Sequence, residues 1–195
     1  VAPSPALQEA REAARADQWE VLSNGTTALL AFLTRTMQAS SVVTIGTDAG
    51  VSALALLEGM SDHGVLTSID PDAERQAAAR KVLSLARIRS NQVRLITGTP
   101  LDVLPKLRDG AYDMVLINGD RLEYVEYVSQ ALRLLRTGGI VVVNDALANN
   151  HVADPDNEDD DTLIIRETLD SVLETEEFTP VLLPVGEGLL LATKS

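Results

Sequence analysis

Five short aliphatic segments, separated by helical patterns, constrain the fold of this chain more than any other feature. Each segment is a short apolar run beside polar or glycine residues, which is typical of a buried strand. The predicted strands are residues 42–45, 65–69, 93–97, 114–117 and 140–143. The helical stretches between them are residues 51–60, 72–87, 101–107 and 122–135. This alternation predicts a mostly parallel sheet with right-handed crossovers and with helices on both faces.

Both ends of the chain add elements to this pattern. Two helices rich in Ala and Leu are predicted before the first strand, over residues 7–22 and 26–38. After the fifth strand we predict a helix over 162–173 and two strands, 178–183 and 189–192. The link between those two strands is too short for a crossover, so they form a hairpin and one terminal strand runs against the rest. We expect a single Rossmann-like α/β domain over residues 1–195, with helices in residues 1–40 packing beside the ligand site.

Composition and charge exclude several classes of protein. The chain has no cysteine, which excludes disulfides and thiolate metal sites and favours a reducing cytoplasm. A net charge of −13 repels phosphate backbones, so general nucleic-acid binding is not expected. No apolar run is long enough to cross a membrane, and no basic segment followed by an apolar one opens the sequence. The sequence begins with Val1 rather than Met, which leaves room for residues before it.

A glycine-containing loop, IGTDAGVS, follows the first predicted strand. Gly46 allows a tight turn, and Gly50 allows the next helix to pack close to a ligand. The start of that helix offers free backbone N–H groups to a carboxylate. The dinucleotide fingerprint requires glycine at position 48, where this chain has Asp48. Because an acidic side chain repels a pyrophosphate, the loop suits S-adenosylmethionine better, although alone it also fits an ordinary strand-to-helix turn.

A second candidate site follows the next two strands. Asp70 ends the second predicted strand, where a carboxylate can accept hydrogen bonds from both ribose hydroxyls of an adenosine. A structural role is the alternative, since Asp70 before Pro71 is also a favoured arrangement for a helix N-cap. Gly98 and Thr99 follow the third strand and could line an adenine pocket. Thr99 with Asp102 also resembles a helix capping box.

Polar residues follow the fourth and fifth predicted strands as well. Asn118 comes after the fourth strand, and Asn144 with Asp145 comes after the fifth. Since neighbouring parallel strands end at one edge of the sheet, a substrate or a metal ion would lie between them. Asp113 opens the fourth strand and is expected to be structural. The acidic run at 154–161 could bind a cation, but such a run is commonly a solvated loop, and its position makes it a candidate lid.

Taken together, these segments resemble the bacterial branch of the catechol O-methyltransferase-like family, O-methyltransferase family 3. The resemblance covers nearly the whole chain and is carried by six segments in order: VVTIGTDAGVSALAL, LTSIDPD, VRLITGTPLDVLPKL, YDMVLINGDRLEYVEYVSQALRLLRTGGIVVVNDAL, VADP and PVLLPVGEGLLLA. It implies an S-adenosylmethionine-dependent methyltransferase fold with seven strands, the last of them antiparallel. It also implies methyl transfer to a hydroxyl group of a small, aromatic acceptor by a homodimeric enzyme.

The resemblance assigns cofactor contacts to individual positions. The positions that match are Leu22, Gly46, Thr47, Ser52, Asp70 and Thr99. The loops themselves add Gly50, Gly98 and Asn118 as candidate cofactor contacts, and Thr44 is a candidate that departs from the family. Within this set, the glycine loop matches the segment that holds the methionine part of the cofactor, and Asp70 matches the acidic residue on the ribose. Thr44 stands where the family usually has Glu, so one polar contact is altered.

The same resemblance makes a divalent cation doubtful. Metal-dependent members usually hold the ion by an Asp after the fourth strand and an Asp-Asn pair after the fifth. The matching residues are Asn118, Asn144 and Asp145, so one carboxylate remains where two are usual, and Mg²⁺ should bind weakly. Arg121 matches a proton-accepting Lys, but Arg stays protonated and can only stabilise an oxyanion. The candidate catalytic residues are therefore Asp145, as proton acceptor, with Arg121 and Asn118.

Three other functions stay open from the sequence. A non-catalytic S-adenosylmethionine-binding protein would keep Asp70 and the glycine loop but lose the activating groups, which fits Asn118 and Arg121. A tRNA-modifying methyltransferase agrees with the family, although the acidic charge speaks against it. A nicotinamide-dependent reductase agrees least, because Asp48 interrupts the dinucleotide fingerprint.

Overall fold

The computed structural model describes residues 2–195 and places seven strands in one sheet. The strands are β1 (Ser41–Ile45), β2 (Val65–Asp70), β3 (Val93–Thr97), β4 (Tyr112–Ile117), β5 (Leu135–Asn144), β6 (Phe178–Leu183) and β7 (Leu189–Lys194). The helices are α1 (Pro5–Ala16), α2 (Asn24–Thr36), α3 (Val51–Gly59), α4 (Ala73–Leu85), α5 (Pro100–Val103), α6 (Tyr124–Leu134) and α7 (Asp160–Glu174). Across the sheet the strands follow the order β3-β2-β1-β4-β5-β7-β6.

The strand directions follow from the lengths of the connections. Strands β1 to β5 pair in parallel, because a helical segment returns the chain to the same end of the sheet between successive strands. Strand β7 runs antiparallel to both β5 and β6. The short turn between β6 and β7 requires this reversal. The expected seven-stranded sheet with an antiparallel last strand is confirmed.

The register of the parallel strands brings four loops to one edge of the sheet. Ile45 of β1 pairs with Ile69 of β2 and with Ile117 of β4. Ile117 pairs in turn with Val143 of β5. The segments that follow these four strands therefore begin side by side, at the carboxyl edge where open α/β sheets bind ligands.

Alternating side chains build a core on each face of the sheet. Val43 and Val115 belong to a cluster with residues of α6 and α7, whereas Val42 and Leu116 belong to a cluster with residues of α2 and α3. A smaller cluster packs α1 against α3 and α4. Helices thus cover both faces, and the period of two along each strand explains why neighbouring residues enter different clusters. Within residues 2–195, no helix is both long and apolar enough to span a membrane.

Several boundaries differ from the sequence-based prediction, among them the start of β5, which lies at Leu135 rather than at residue 140, and three of the helix boundaries have a local cause. The first helix ends at Ala16 rather than at residue 22, because Gln18 adopts a left-handed conformation (φ 58°) and the chain leaves the helix axis. Pro105 has no N–H group to continue the helical hydrogen bonds, so α5 ends at Val103 and a single 3₁₀ turn follows. A 3₁₀ turn also precedes α6, which begins at Tyr124 rather than at residue 122.

Asp113 ties the start of β4 to the segment before β1, the structural role expected of it. One carboxylate oxygen accepts the backbone N–H groups of Ser40 and Ser41 at 2.7 and 2.9 Å. The other accepts a hydrogen bond from Nε of Arg136 at 2.7 Å. Burial alone would raise the pKa of this carboxyl, but the hydrogen bonds outweigh it and hold the pKa below its usual range.

Replacing Asp113 with Asn should lower the free energy of unfolding by about 2 kcal/mol at pH 7, because a charged acceptor of several hydrogen bonds is lost. A carboxylate with a lowered folded-state pKa stabilises above its unfolded pKa, and this stability is lost as the pH falls through the folded pKa. The difference in the free energy of unfolding between wild type and the variant should therefore become smaller below about pH 4. Urea denaturation at pH 7 and pH 3.5 measures this.

Asp109→Asn is the matched control for that experiment. It removes an exposed carboxylate that pairs with Arg133 at the surface, and it should change the stability by less than about 1 kcal/mol. An equal loss of stability in the Asp113 variant at both pH values would contradict a role for its charge.

Candidate functional site

Two adjoining cavities open at the carboxyl edge of the sheet. The β2-side cavity has a volume of about 430 Å³. Its lining includes Gly46, Asp70, Asp72, Thr99, Asn118 and Tyr127. The β5-side cavity has a volume of about 300 Å³. Its lining includes Glu20, Leu22, Asp48, Asn118, Arg121, Asn144, Asp145 and Glu187. Asn118 lines both cavities, so the two form one continuous cleft.

The glycine loop approaches the end of β4 so closely that no side chain fits there. Gly46 has φ +88°, and a Cβ atom on it would lie 2.1 Å from the carbonyl oxygen of Asn118. Gly50 has φ +94°, and a Cβ atom on it would lie 3.0 Å from Cα of Ala79 in α4. Gly50 therefore lets the loop approach α4, and its expected place beside a ligand stays a prediction.

Asp70 links the glycine loop to the start of α4. Its carboxylate accepts the backbone N–H of Thr47 at 2.7 Å through one oxygen and that of Asp72 at 2.8 Å through the other. The N-cap of α4 is Asp72, which accepts the N–H groups of Glu74 and Arg75. The N-cap alternative for Asp70 is therefore wrong. Each Asp70 oxygen keeps lone-pair capacity for a further hydrogen bond.

The hydroxyl side chains of the loop shape its backbone. Thr44 donates to the carbonyl of Gly46 at 3.0 Å, and Ser52 donates to the carbonyl of Thr47 at 3.3 Å. The hydroxyl of Thr47 pairs with that of Ser68 at 3.0 Å. All of these side chains are buried. A ligand in the cleft would therefore meet the backbone of this loop, and Thr44 supplies no charge where the family usually has Glu.

The segment after β3 completes the wall of the β2-side cavity. The N–H of Gly98 donates to the carbonyl of Asp70 at 3.0 Å, which holds the two strand ends together. Thr99 lines the cavity and is the N-cap of α5, but its side chain makes no capping hydrogen bond. The capping box predicted for Thr99 and Asp102 is therefore wrong, and the Thr99 hydroxyl is not used for capping.

An ion pair closes the other side of the cleft. Arg121 pairs with the buried carboxylate of Asp145 and also with Asp161, at the start of α7, at 2.9 Å. The second oxygen of Asp145 is buried and has no hydrogen-bond partner among residues 2–195. Burial raises the pKa of Asp145 above its usual range, although the charge of Arg121 opposes the rise. The acidic run is thus partly helical, and Asp161 reaches the cleft through Arg121.

The turn between β6 and β7 fixes the chain that follows Asp145. The N–H groups of Ala146 and Leu147 donate to the carbonyls of Gly188 and Glu187 at 3.0 and 3.1 Å. A Cβ atom on Gly188 would lie 2.4 Å from Cγ of Leu147, so glycine is required for this close approach. The position of Asp145 therefore depends on backbone contacts with the C-terminal hairpin.

The residues expected to hold a divalent cation do not fit one. The amide nitrogen of Asn144 donates to the amide oxygen of Asn118 at 2.9 Å, so the Asn118 oxygen is already used by a neighbouring donor. A guanidinium already neutralises Asp145. Nowhere in residues 2–195 do three or more His, Cys, Asp or Glu side chains form a cluster suited to a metal ion. Because Mg²⁺ needs several oxygen ligands with compensating negative charge, this donor set suits a hydrogen-bonded ligand better.

Asp48, expected only to repel a pyrophosphate, is a buried acid in the wall of the β5-side cavity. It is 4 % exposed and adopts a left-handed conformation with φ 52°. The backbone N–H of Leu22 donates to its carboxylate at 3.3 Å. Burial raises the pKa of Asp48 to about 7, although hydrogen bonding by Leu22 and the charge of Arg11 oppose the rise. This carboxyl therefore changes its charge near neutral pH.

Arg11 is the second polar group that the sequence analysis missed. It lies on the buried face of α1 with Leu7, Ala10 and Ala14, and it donates to the hydroxyl of Thr27 at 3.0 Å. Its Nε atom is buried and has no hydrogen-bond partner within residues 2–195. Arginine at a position of helical apolar spacing was the available signal. No pattern in the sequence indicated that Asp48 would be buried.

Comparison with known proteins identifies the family. The model of the family described as O-methyltransferase matches residues 2–195. A Mycobacterium tuberculosis protein (strain H37Rv) named as an O-methyltransferase is 40 % identical over 167 residues, which cover 86 % of this chain and 75 % of the relative. A similarly named protein of Mycobacterium sp. (strain KMS) is 42 % identical, with 86 % and 76 % coverage. The chain therefore belongs to the O-methyltransferase family, which confirms the resemblance and sets aside a nicotinamide-dependent reductase.

Solved structures show the same fold. A Corynebacterium glutamicum protein superposes with a TM-score of 0.94 at 30 % identity, covering 100 % of this chain and 92 % of that one. A second solved structure is the O-methyltransferase TomG from Streptomyces achromogenes, which is involved in tomaymycin synthesis and was crystallised with S-adenosylmethionine. It superposes with a TM-score of 0.91 at 27 % identity, covering 100 % of this chain and 92 % of that one. The predicted Rossmann-like methyltransferase fold is thereby confirmed.

Replacing Asp48 with Asn should stabilise the ligand-free protein, and more so at pH 8 than at pH 5. Asn keeps the shape of the side chain and tolerates the left-handed conformation. Because the folded-state pKa of Asp48 is raised to about 7, the native state loses stability as the pH rises from the unfolded pKa, near 4, to about 7. At pH 8 the free energy of unfolding of the variant should exceed that of wild type by about 1–3 kcal/mol, as measured by urea denaturation.

The exposed carboxylate of Asp17 offers the matched control, since Asp17→Asn should leave the pH dependence of stability unchanged. If the Asp48 variant were less stable than wild type at pH 8, the burial of this carboxylate would carry no net cost.

Proposed function

We propose that this O-methyltransferase transfers the methyl group of S-adenosylmethionine to a hydroxyl group of a small, aromatic acceptor. The observation that carries the proposal is the pair of adjoining cavities that share Asn118, one walled by Asp70 and the other by Asp145. Two cavities that share part of their lining suit a donor and an acceptor that must react with each other. Family membership and the S-adenosylmethionine complex of TomG support this donor.

In this proposal the adenosine part of the cofactor occupies the β2-side cavity. The ribose hydroxyls donate to Asp70, whose buried carboxylate is held in place by two backbone N–H groups. The adenine lies towards Gly98 and Thr99. The methionine part follows the loop from Gly46, including Thr47, Gly50 and Ser52, and reaches the segment of Leu22. The part of the cleft that Asn118 shares would then lie between the cofactor and the acceptor.

The acceptor hydroxyl then binds at Asp145. Its proton goes to the carboxylate of Asp145, which lines the cavity, while Arg121 stabilises the negative charge that develops on the acceptor oxygen. The amide oxygen of Asn118 already accepts from Asn144, so its N–H group remains to orient a reactant. The cofactor supplies the chemistry, and the protein aligns the reacting atoms and removes one proton.

A further cavity next to the cleft supports the proposal of an aromatic acceptor. A third cavity, of about 510 Å³, shares Arg121 and Asp145 with the β5-side cavity. Trp19, Arg11 and Arg15 also line it. An indole ring and guanidinium groups can stack on a planar ring, and this volume suits a small molecule.

We further propose that the enzyme is a cytoplasmic homodimer that does not act on nucleic acid. The net charge of −13 supports a small-molecule acceptor over an RNA, because phosphate groups would be repelled. Val181 and Leu182 are exposed on the edge strand β6, where a second subunit could cover them.

Replacing Asp70 with Asn should weaken the binding of S-adenosylhomocysteine, the demethylated product, by about tenfold or more, because an anionic acceptor for the ribose hydroxyls is lost. Isothermal titration calorimetry measures this. Asp62→Asn makes the same chemical change at the exposed surface and should leave the affinity unchanged. An unchanged affinity in the Asp70 variant would remove the ribose assignment.

Methyl transfer should not depend on a divalent cation but should depend on Asp145. With a panel of catechols and simple phenols, EDTA should leave the rate within about twofold, whereas Asp145→Asn should lower kcat by about 100-fold, the contribution of one positioned base. Asp161→Asn is the matched control, since it removes the exposed partner of Arg121 and leaves Asp145 in place. Loss of activity in EDTA, restored by micromolar Mg²⁺, would overturn the metal-free mechanism.

A further inference from the structure

We propose that Asp48, in the wall of the β5-side cavity, binds the α-ammonium group of S-adenosylmethionine. The inference rests on the proposed function, because it assumes that the methionine part of the cofactor follows the glycine loop. It adds a residue to the cofactor site and predicts which chemical group of the ligand that residue recognises.

The location of Asp48 is the first argument. It belongs to the glycine loop and lines the β5-side cavity together with Leu22, whereas Asp70 lines the β2-side cavity. Thr44 contributes no charge to this cavity. Its side chain is fully buried, and its hydroxyl donates a hydrogen bond to the carbonyl of Gly46. A ligand ammonium group in the methionine part of the cleft would therefore meet Asp48 as the acid of this loop.

The second argument is that Asp48 is a buried carboxylate without a close cation. None of the ion pairs formed within residues 2–195 includes Asp48 or Arg11. Arg11 of α1 and Arg75 of α4 act on Asp48 only through longer-range charge. Burying an ionised carboxylate without a paired charge is costly, and a ligand ammonium group would remove that cost on binding.

The third argument concerns the other charges of the cavity. Three other acids line this cavity, namely Glu20, Glu187 and Asp145. Two positively charged residues, Arg75 and Arg121, line it as well. Asp145 is already paired with Arg121, and Glu20 and Glu187 are exposed to solvent. Asp48 is therefore the acid of this cavity that combines burial with the absence of an ion-pair partner in the described residues. A buried acid discriminates more strongly for a cation than an exposed one, since water screens it less.

This role predicts a specific pH dependence of cofactor affinity. The ammonium group is attracted to the ionised form of Asp48, and the pKa of about 7 places that form above neutral pH. The charges of Arg11 and Arg75 favour the ionised form, whereas burial opposes it. The affinity for S-adenosylhomocysteine should therefore rise between pH 6 and pH 8. Adenosine derivatives that lack the amino acid part should show no such rise.

The test compares two ligands and two proteins at two pH values by isothermal titration calorimetry. Asp48→Asn should weaken S-adenosylhomocysteine binding by about tenfold at pH 8 and by less than about twofold at pH 6. It should leave the binding of 5′-deoxy-5′-methylthioadenosine, which has no ammonium group, unchanged at both pH values. Glu187→Gln is the matched control, since it neutralises an exposed acid of the same cavity and should preserve the wild-type pH dependence.

The outcomes separate this inference from the proposed function. If wild type fails to bind S-adenosylhomocysteine, both fall. If wild type binds S-adenosylhomocysteine and Asp48→Asn binds it equally well at pH 8, only the role of Asp48 is overturned. Tighter binding by Asp48→Asn would also overturn that role, because Asp48 would then repel the ligand carboxylate. An equal loss of affinity for both ligands in the Asp48→Asn protein would also overturn the inference, because Asp48 would then act by shaping the loop.

Discussion

The close contact between Gly46 and the carbonyl of Asn118 is the constraint on which the cleft depends. Since no Cβ atom fits between them, the loop after β1 lies directly against the end of β4. This contact allows the N–H of the next residue, Thr47, to reach the carboxylate of Asp70. Three strand ends are thereby held together by backbone groups, and the side chains of Asp70 and Asn118 remain available to line the cleft. The site is organised before any ligand binds, which reduces the ordering cost of binding.

Arg121 changes the electrostatics of the position where the family usually holds a metal ion. A guanidinium group supplies a permanent positive charge beside Asp145, and its planar shape lets it contact Asp161 as well. A metal ion would require its ligands to be ionised and arranged around it, whereas the guanidinium is covalently attached and is present in every molecule. In the proposed mechanism, this guanidinium is the cation near the acceptor oxygen, and no metal ion is needed there. The mutual hydrogen bond of Asn118 and Asn144 agrees with this, because neutral amides do not compete for that charge.

Much of the fold was predictable because it depends on local patterns. The apolar runs identified all seven strands, and the short link between β6 and β7 required the reversal of the last strand. The end of α1 was missed because Gln18, rather than glycine or asparagine, adopts the left-handed conformation there. The site was predictable where residues follow strand ends, as for Asp70, Asn118 and Asp145, since the register of parallel strands brings those ends together.

Other features of the site depend on contacts between segments that are distant in the chain. The burial of Asp48 results from the packing of the segment around Leu22 over the glycine loop. The pairing of Arg121 with Asp161 requires α7 to return to the cleft after the acidic run. Neither the position of Asp48 in a loop nor the run of acids indicates these contacts, because both patterns are also common on solvent-exposed surfaces.

The C-terminal hairpin contributes to the cleft, although few of its residues line it. Its turn accepts hydrogen bonds from the two residues after Asp145, and Gly188 fits against Leu147 with no room for a side chain. Surface turns usually tolerate insertions, because lengthening a loop costs little entropy. This turn differs, because an added residue would shift the carbonyls that anchor the backbone after Asp145. Variation in the length of this turn is therefore restricted.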